Sequence, residues 1–439
     1  MTVFPDRRLI GAVGGLVAAA LAVAIVPGTW PMLAAAAGLL AVLVAWDWWL
    51  LGRRSPVTLR RILPGRGFVG RRIEVQVVVE YAGADAVSLM LLEDVPADLT
   101  DRDPELGPVT VGPGRPVTIT YTVLPARRGD IACGPLLALV RSPLGFLRQR
   151  VVGAQADVLP VYPDTTRFLR PEALDPRRVL AAVGVRPQRR RGEGMEFESL
   201  REYVAGDNPR RIDWLASARR GRWVTRLYQH ERNHTVVLAL DTSRLMGGRV
   251  DGRTKLDHAV DAALALAYAA LVSGDRVGLV VFDRVVRGTV APRAHRHALG
   301  PFVEVLRTVS PQLVEADYRV LVRDLGVRQR QRALVVVLTD FVEADPTTLT
   351  APLAVLAGRH EVMVVALRDR AYATLDAPLG AAAPSALYRR LVLEDLLSER
   401  ARVLQALARQ GVQTLDLPPE KVTPVVLNRY LAMRYGPAR

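Results

Sequence analysis

The chain has 439 residues, half of them hydrophobic, with 59 Lys and Arg against 44 Asp and Glu and a formal net charge of +15. That length calls for two or three domains, and the apolar half excludes a largely disordered chain. Cys133 is the single cysteine, so an intrachain disulfide and a CxxC metal or redox motif are both excluded. Lysine stands only at positions 255 and 421, so nearly all the positive charge is arginine. Such an excess fits nucleic acid, an anionic membrane surface or an acidic protein partner.

The chain opens with an uncharged run, LIGAVGGLVAAALAVAIV, over residues 9–26. At about 1.5 Å per residue it nearly spans a hydrocarbon core of roughly 30 Å. Pro27-Gly28-Thr29 breaks it, and a second apolar run follows over residues 30–51. Trp46, Trp48 and Trp49 cluster at the end of that run, as in an aromatic belt, which places Asp47 near the interface. Two spans joined by a short turn put both ends on one side. Arg7 and Arg8 before them, and Arg53, Arg54, Arg60 and Arg61 after them, predict a cytoplasmic body by the positive-inside rule. A cleaved signal peptide and a buried soluble hairpin are the competing readings. The expectation is a membrane-anchoring helical hairpin over residues 1–54 in the cytoplasmic membrane.

From residue 55 to 162 the pattern turns to strands. Ile73-Glu74-Val75-Gln76-Val77 and the run from Val117 to Val123 alternate with period two, and Pro-Gly pairs punctuate the segment. A β-sandwich of about 100 residues is predicted, with a spacing or protein-contact role. Cys133 has no neighbouring histidine and reads as a buried small side chain.

Residues 163–233 form an Arg-rich connector. Asn208, Pro209 and Gly221 read as the cap, first turn and stop of a helix whose Ile212, Leu215 and Ala216 share one face. Tyr203, Trp214, Trp223, Tyr228 and Phe197 are expected at core positions. The run from Gly194 to Arg219 resembles the signature of the bacterial domain of unknown function 58 family. Glu196, Phe197, Leu200, Arg201, Tyr203, Gly206, Asp207, Arg210, Ile212, Asp213, Trp214, Ala218 and Arg219 carry it. The stretch from Ala126 to Asp130, that from Ser142 to Phe146, and the N-terminal hairpin resemble the family too. The resemblance implies a membrane-anchored protein with a von Willebrand factor type A-like domain, associated with MoxR-type AAA+ ATPases.

Residues 234–439 independently read as an α/β domain. Apolar strands are predicted at 235–240, 276–282, 333–338, 361–367 and 412–417. Helical stretches at 256–272, near 297–309, at 348–358 and at 387–409 separate them. That alternation predicts a mostly parallel sheet covered on both faces, with ligands outside the strand ends at a topological switch point.

Asp241 and Asp340 stand at two strand ends, with Ser243 two residues after the first. The type A-like resemblance implies a metal-ion-dependent adhesion site there, in which hydroxyl and carboxylate oxygens would hold Mg²⁺. This chain departs from the pattern: Leu245 stands where a second serine ligand is usual, and the distant threonine is not evident. The alternative is that Asp241, Ser243 and Asp340 cap the segments that follow the strands.

GxxxxGK[ST], GxSxG and HExxH are absent from the sequence, so an enzyme is not expected. The leading expectation is a membrane-anchored protein-interaction factor that binds a partner, a MoxR-type AAA+ ATPase by resemblance, at the strand-end face. A basic nucleic-acid binder and a metal-dependent hydrolase using Asp241 and Asp340 are the alternatives.

Overall fold

A computed structural model describes the chain except residues 1, 24–28, 55, 100–103, 105, 154–156, 165–190, 205–208, 210–211, 230–233, 342–345, 370–383 and 436–439. The chain divides into two units, 1–162 and 163–439.

The first unit opens with a short strand, β1 (Thr2–Pro5), followed by helices α1 (Arg7–Val23) and α2 (Trp30–Gly52). Among the described residues only α2 is long and apolar enough to cross a membrane; its 23 residues have a mean hydropathy of 1.8, and 6% of that window is buried. The expected first span is the shorter α1, of 17 residues. Ala and Leu, good helix formers, make up much of both α1 and α2. Most of the predicted Pro27-Gly28-Thr29 break lies outside the described residues.

Ten strands follow: β2 (Val57–Ile62), β3 (Gly67–Phe68), β4 (Ile73–Tyr81), β5 (Val87–Glu93), β6 (Pro108–Val111), β7 (Val117–Val123), β8 (Gly129–Ala132), β9 (Leu136–Arg141), β10 (Leu147–Val152) and β11 (Val158–Tyr162). They form sheets of order β1-β10-β9-β5-β6, β2-β4-β7 and β3-β11-β8. The alternation read from sequence is realised in β4, whose residues are buried every second position from Ile73 to Tyr81. Val77, Val79 and Tyr81 pack in one core with Val87, Leu89, Leu136 and Val140 of the five-stranded sheet, while Ile73 and Val75 pack in a second with Ile131, Leu159 and Val161. Cys133 is a buried free thiol, and burial raises its pKa.

Three charged-type residues of this unit are buried, and one of them, Arg61, departs from the sequence expectation. Asp47 is fully buried on α2, and its carboxylate accepts hydrogen bonds from Ser142 Oγ (2.5 Å), Leu144 N (2.9 Å) and Phe146 N (3.0 Å). It is therefore a clamp on the 142–146 turn, where Gly145 takes a φ of 82°. Asp6 is buried beside Arg148 (2.5 Å) and Arg141 (2.9 Å). Burial opposes its charge, but the Arg148 and Arg7 hydrogen bonds hold its carboxyl below the usual range. Arg61, expected as a basic flank of the hairpin, is buried in the sandwich with Glu93 (2.6 Å) and the Gly134 carbonyl (2.7 Å). Period-two alternation inside β2 turns it inward, so it is no surface charge.

In the second unit β12 (Arg191–Glu202) pairs antiparallel with β13 (Val224–Gln229), with helix α3 (Trp214–Arg220) between them. The α/β part follows: β14 (Thr235–Asp241), a small hairpin of β15 (Arg249–Val250) and β16 (Arg253–Thr254), α4 (Lys255–Val272), β17 (Arg276–Phe282), β18 (Val286–Arg293), α5 (Leu299–Thr308), α6 (Tyr318–Arg328), β19 (Leu334–Thr339), α7 (Pro346–Ala357), β20 (Glu361–Leu367), α8 (Pro384–Arg409), β21 (Gln413–Leu417) and α9 (Pro419–Tyr435). The sheet order is β18-β17-β14-β19-β20-β21; only β18 runs antiparallel. One face is covered by a core that includes α4, α5 and α9, the other by one that includes α6, α7 and part of α8. This burial on both faces is why the strands are unbroken apolar runs. Strand β18, helix α6 and helix α9 were not predicted; Gly288 and Pro292 interrupt the strand pattern of the first.

Candidate functional site

Chain order places the site. From β14 the chain steps to β17 on one side, and after β18 it returns to β19 on the other side of β14. The carboxyl ends of β14 and β19 are thus the switch point of the sheet. Asp241 ends β14, while Thr339 ends β19 and Asp340 follows it. The structure therefore brings together Asp241, Ser243 and Asp340, and all three are buried, at 0, 2 and 2% exposure.

Asp241 is held entirely by the chain. Its Oδ1 accepts from Ser243 N (2.7 Å) and its Oδ2 from Thr339 Oγ1 (2.6 Å). Thr339 has one hydroxyl proton and donates it there, so the Tyr318 hydroxyl, 2.7 Å away, donates to Thr339. Burial pushes the Asp241 carboxyl up to about 6, against the Thr339 and Ser243 hydrogen bonds, and Asp340 adds to the rise. Ser243 precedes a 3-10 turn (Arg244–Gly247) that buries Met246.

Asp340 lies between two cations that the sequence reading missed. Lys255 Nζ donates to its Oδ2 at 2.7 Å, and Arg400 Nη1 to its Oδ1 at 2.7 Å. Phe341 N also donates to Oδ1, at 2.8 Å. Arg400 lies over the Phe341 ring, 4.7 Å from its centroid, and its Nε reaches Asp416 at 3.0 Å. On the outer side Lys255 meets Asp369 at 3.3 Å, a carboxylate with 42% of its side chain exposed. Lys255 opens α4 behind a Thr254–Asp257 capping box. Its one sequence signal was rarity: one of two lysines in an arginine-biased chain, at the head of a long Ala-Leu helix.

The donor set does not fit a divalent ion. Each oxygen of Asp241 and Asp340 already has a partner within the chain, Leu245 brings no oxygen, and two monovalent cations already adjoin Asp340. Among the described residues no group of three or more His, Cys, Asp or Glu side chains is placed to hold a metal ion. The arrangement supports the capping reading for Asp241 and Asp340 through Ser243 N and Phe341 N.

The loop 309–317 is tied to the segments that follow β14 and β17. Gln312 N donates to the Thr242 carbonyl (2.7 Å), Arg244 N to the Val314 carbonyl (2.9 Å) and Asp317 N to the Asp283 carbonyl (3.0 Å). Between these fixed points Leu313 is 96% exposed. A cavity of about 940 Å³ adjoins it, lined by Glu315, Asp317, Arg284, Arg319 and Arg323 with Val322 and Val355 among its apolar walls.

The connector residues form a separate small structure. Phe197 pairs with Tyr228 in register, Leu200 with Arg226 and Arg201 with Thr225, while Glu196 pairs with Gln229. Ile212 is buried and bridges Thr225. Helix α3 starts later than predicted, because Asp213 and not Asn208 caps it, accepting from Leu215 N and Ala216 N; Gly221 ends it at a φ of 65°, as expected. Of the face read from sequence, Ile212 is buried and Ala216 half-buried but Leu215 is 67% exposed; Trp214 and Trp223, expected at core positions, are 66% and 61% exposed. Tyr203 stacks edge-on to Trp223. Ala218 and Arg219 face solvent, and Glu202 pairs with Arg222. Gly206, Asp207, Asn208 and Arg210 lie outside the described residues.

Residues 199–382 match the family described as a protein of unknown function, DUF58. Uncharacterized proteins of Mycobacterium bovis and Mycobacterium tuberculosis are 28% identical over 180 residues, 40% of this chain. The match spans 56% of the length of those relatives, little more than half. In the solved structures, a PapD-like domain of human CEP192 resembles 23% of the chain (86% of that domain) at 17% identity and a TM-score of 0.18. A CARDB domain from Pyrococcus furiosus resembles 24% (93% of that domain) at 14% identity and a TM-score of 0.16.

Proposed function

We propose that this is a membrane-anchored, non-enzymatic interaction protein whose α/β domain, of the von Willebrand factor type A-like kind, presents its strand-end face to a protein partner. The observation that carries the proposal is the loop 309–317, which is hydrogen-bonded to the strand-end segments at Thr242, Arg244 and Asp283 and holds Leu313 out into solvent. A rigid apolar anchor ringed by Arg244 and Glu315 has the make-up of an interface hot spot with a polar rim. Asp241 and Asp340 are committed to internal partners, which argues against a hydrolase that needs one of them as a free base.

The anchor is read as two spans. Strand β1 precedes α1 and pairs with β10 of the sandwich, Thr2 with Arg150 through Pro5 with Leu147. Chain ends that share a sheet share a compartment, so the intervening segment crosses the bilayer an even number of times. If α2 crosses, the segment that holds α1 crosses as well. Arg7, Arg8, Arg53 and Arg54 at that end support a cytoplasmic placement against anionic lipid.

A MoxR-type AAA+ ATPase is the partner that the family resemblance implies. Affinity capture from native membranes with full-length wild type and Leu313→Asp as baits tests this. The ATPase is expected with the wild type and depleted with the variant; equal recovery with both removes the strand-end face as the contact. Leu313 is better suited to this than buried Asp241, whose replacement perturbs the fold.

A second reading has its own observation. Trp214 and Trp223 are exposed beside Arg219 and Arg222, an aromatic-basic surface of the type that stacks single-stranded nucleic acid. Oligonucleotide binding that falls steeply with salt, and is lost in Trp214→Ala, supports it; salt-independent or absent binding removes it.

A further inference from the structure

We infer that the Lys255 ammonium is the resident cation of the strand-end site, so that this face is charge-complete without a divalent ion. The inference concerns the site itself and stands whether or not a partner docks at Leu313.

The first argument is position. Lys255 is the first residue of α4, where the helix dipole disfavours a positive charge. Its side chain is also only 4% exposed, where an ammonium is costly without close anionic partners. Both penalties are offset only by carboxylates, and the chain supplies two. Asp340 holds the ammonium from inside at 2.7 Å, and half-exposed Asp369 holds it from outside at 3.3 Å.

The second argument is room. Gly248 faces the end of this lysine; a Cβ there would come within 3.2 Å of Lys255 Cε and 3.5 Å of Nζ. The Gly248 carbonyl also accepts from Lys255 N at 2.8 Å, fixing the backbone from which the side chain departs. A backbone without a side chain at 248 leaves the volume in which the ammonium lies.

The third argument is competition. A hard divalent ion needs about six oxygen ligands. Here Leu245 contributes none, both oxygens of Asp241 accept from Ser243 and Thr339, and Arg400 already occupies the other oxygen of Asp340. A dication entering would meet an ammonium and a guanidinium at once. A tethered ammonium is present at every metal concentration, so the fold of this face is expected to ignore chelators.

The test uses the full chain in detergent. Manganese(II) titration followed by electron paramagnetic resonance is expected to show no stoichiometric site in wild type at millimolar ion, and thermal unfolding is expected to be the same in EDTA and in Mg²⁺. Lys255→Met, which keeps most of the unbranched side chain and removes the charge, is expected to lower the unfolding temperature by about 5–10 °C in EDTA. A single Mn²⁺ bound by wild type and lost in Asp340→Asn overturns the inference. So does a Lys255→Met protein as stable as wild type in EDTA. The wild-type titration decides the first point whatever the folding of the variants.

Discussion

Replacing Asp47 by alanine tests how the apolar helix is fastened to the sandwich. The side chain is fully buried on α2 and accepts three hydrogen bonds from one turn, at 2.5, 2.9 and 3.0 Å from Ser142 Oγ, Leu144 N and Phe146 N. A hydrogen bond to a charged acceptor contributes about 1.5–3 kcal/mol, and such contributions within one cluster are not additive. Leu144 is 37% exposed, so water can recover part of what its amide loses. Ser142 is 4% exposed and its Oγ also accepts from Leu147 N at 3.0 Å, so its hydroxyl is the group left stranded. The net expectation is a loss of about 2–4 kcal/mol, or a fall of roughly 5–15 °C in the unfolding temperature of this unit. Asp47→Asn keeps an acceptor and is expected to lose about half as much. The assay is thermal unfolding of the full chain in detergent, read by protease resistance of the 142–146 turn. If Asp47→Ala unfolds at the wild-type temperature and the turn stays protected, the carboxylate is not the fastening.

Three further expectations rest on single contacts. Arg61→Met leaves Glu93 buried without its guanidinium and is expected to cost about 3–5 kcal/mol in urea unfolding; a loss under about 1 kcal/mol means that the Arg61–Glu93 pair does not hold the sandwich. Asp241 has a carboxyl raised to about 6, chiefly by burial, against 3.8 ordinarily, so the folded state holds its proton over that window. Its stabilising contribution is therefore present below about pH 4 and is lost as pH rises through about 6, by roughly 3 kcal/mol, and Asp241→Asn is expected to flatten that slope in denaturation curves taken from pH 4 to 7. An unchanged slope places the carboxyl at its ordinary value. Tyr318→Phe removes the donor to Thr339 and is expected to destabilise by about 1 kcal/mol by chemical denaturation; no change means that the Tyr318–Thr339–Asp241 chain is not formed in solution.

Much of this architecture is legible in the sequence because burial leaves a period in the chain. The alternating β4 and β7, and the unbroken apolar runs of β14, β17, β19 and β20, announce a half-buried sandwich and a sheet buried on both faces. The strand-end carboxylates could be named because they terminate those runs. The same reasoning failed where the period is broken or brief. Gly288 and Pro292 hid β18, and a one-turn error in the start of α3 turned Trp214 and Leu215 from core to surface. Arg61 reads from its charge as a basic flank of the hairpin, whereas it is buried against Glu93, and the three partners that bury Asp47 lie 95–99 residues away in sequence.

The sequence by itself determined the apolar N-terminal helix, the two fold classes and the placing of Asp241 and Asp340 at strand ends, since each follows from local periodicity and strand polarity. Only the tertiary structure decided what surrounds those carboxylates. Lys255, Tyr318 and Arg400 lie 85, 22 and 60 positions from Asp340 along the chain, and nothing in local pattern links a helix-opening lysine to a mid-helix arginine. The two cations and the tyrosine hydroxyl meet because three separate crossovers return to one end of the sheet. That meeting point lies inside the protein, where a cation must be matched by an anion.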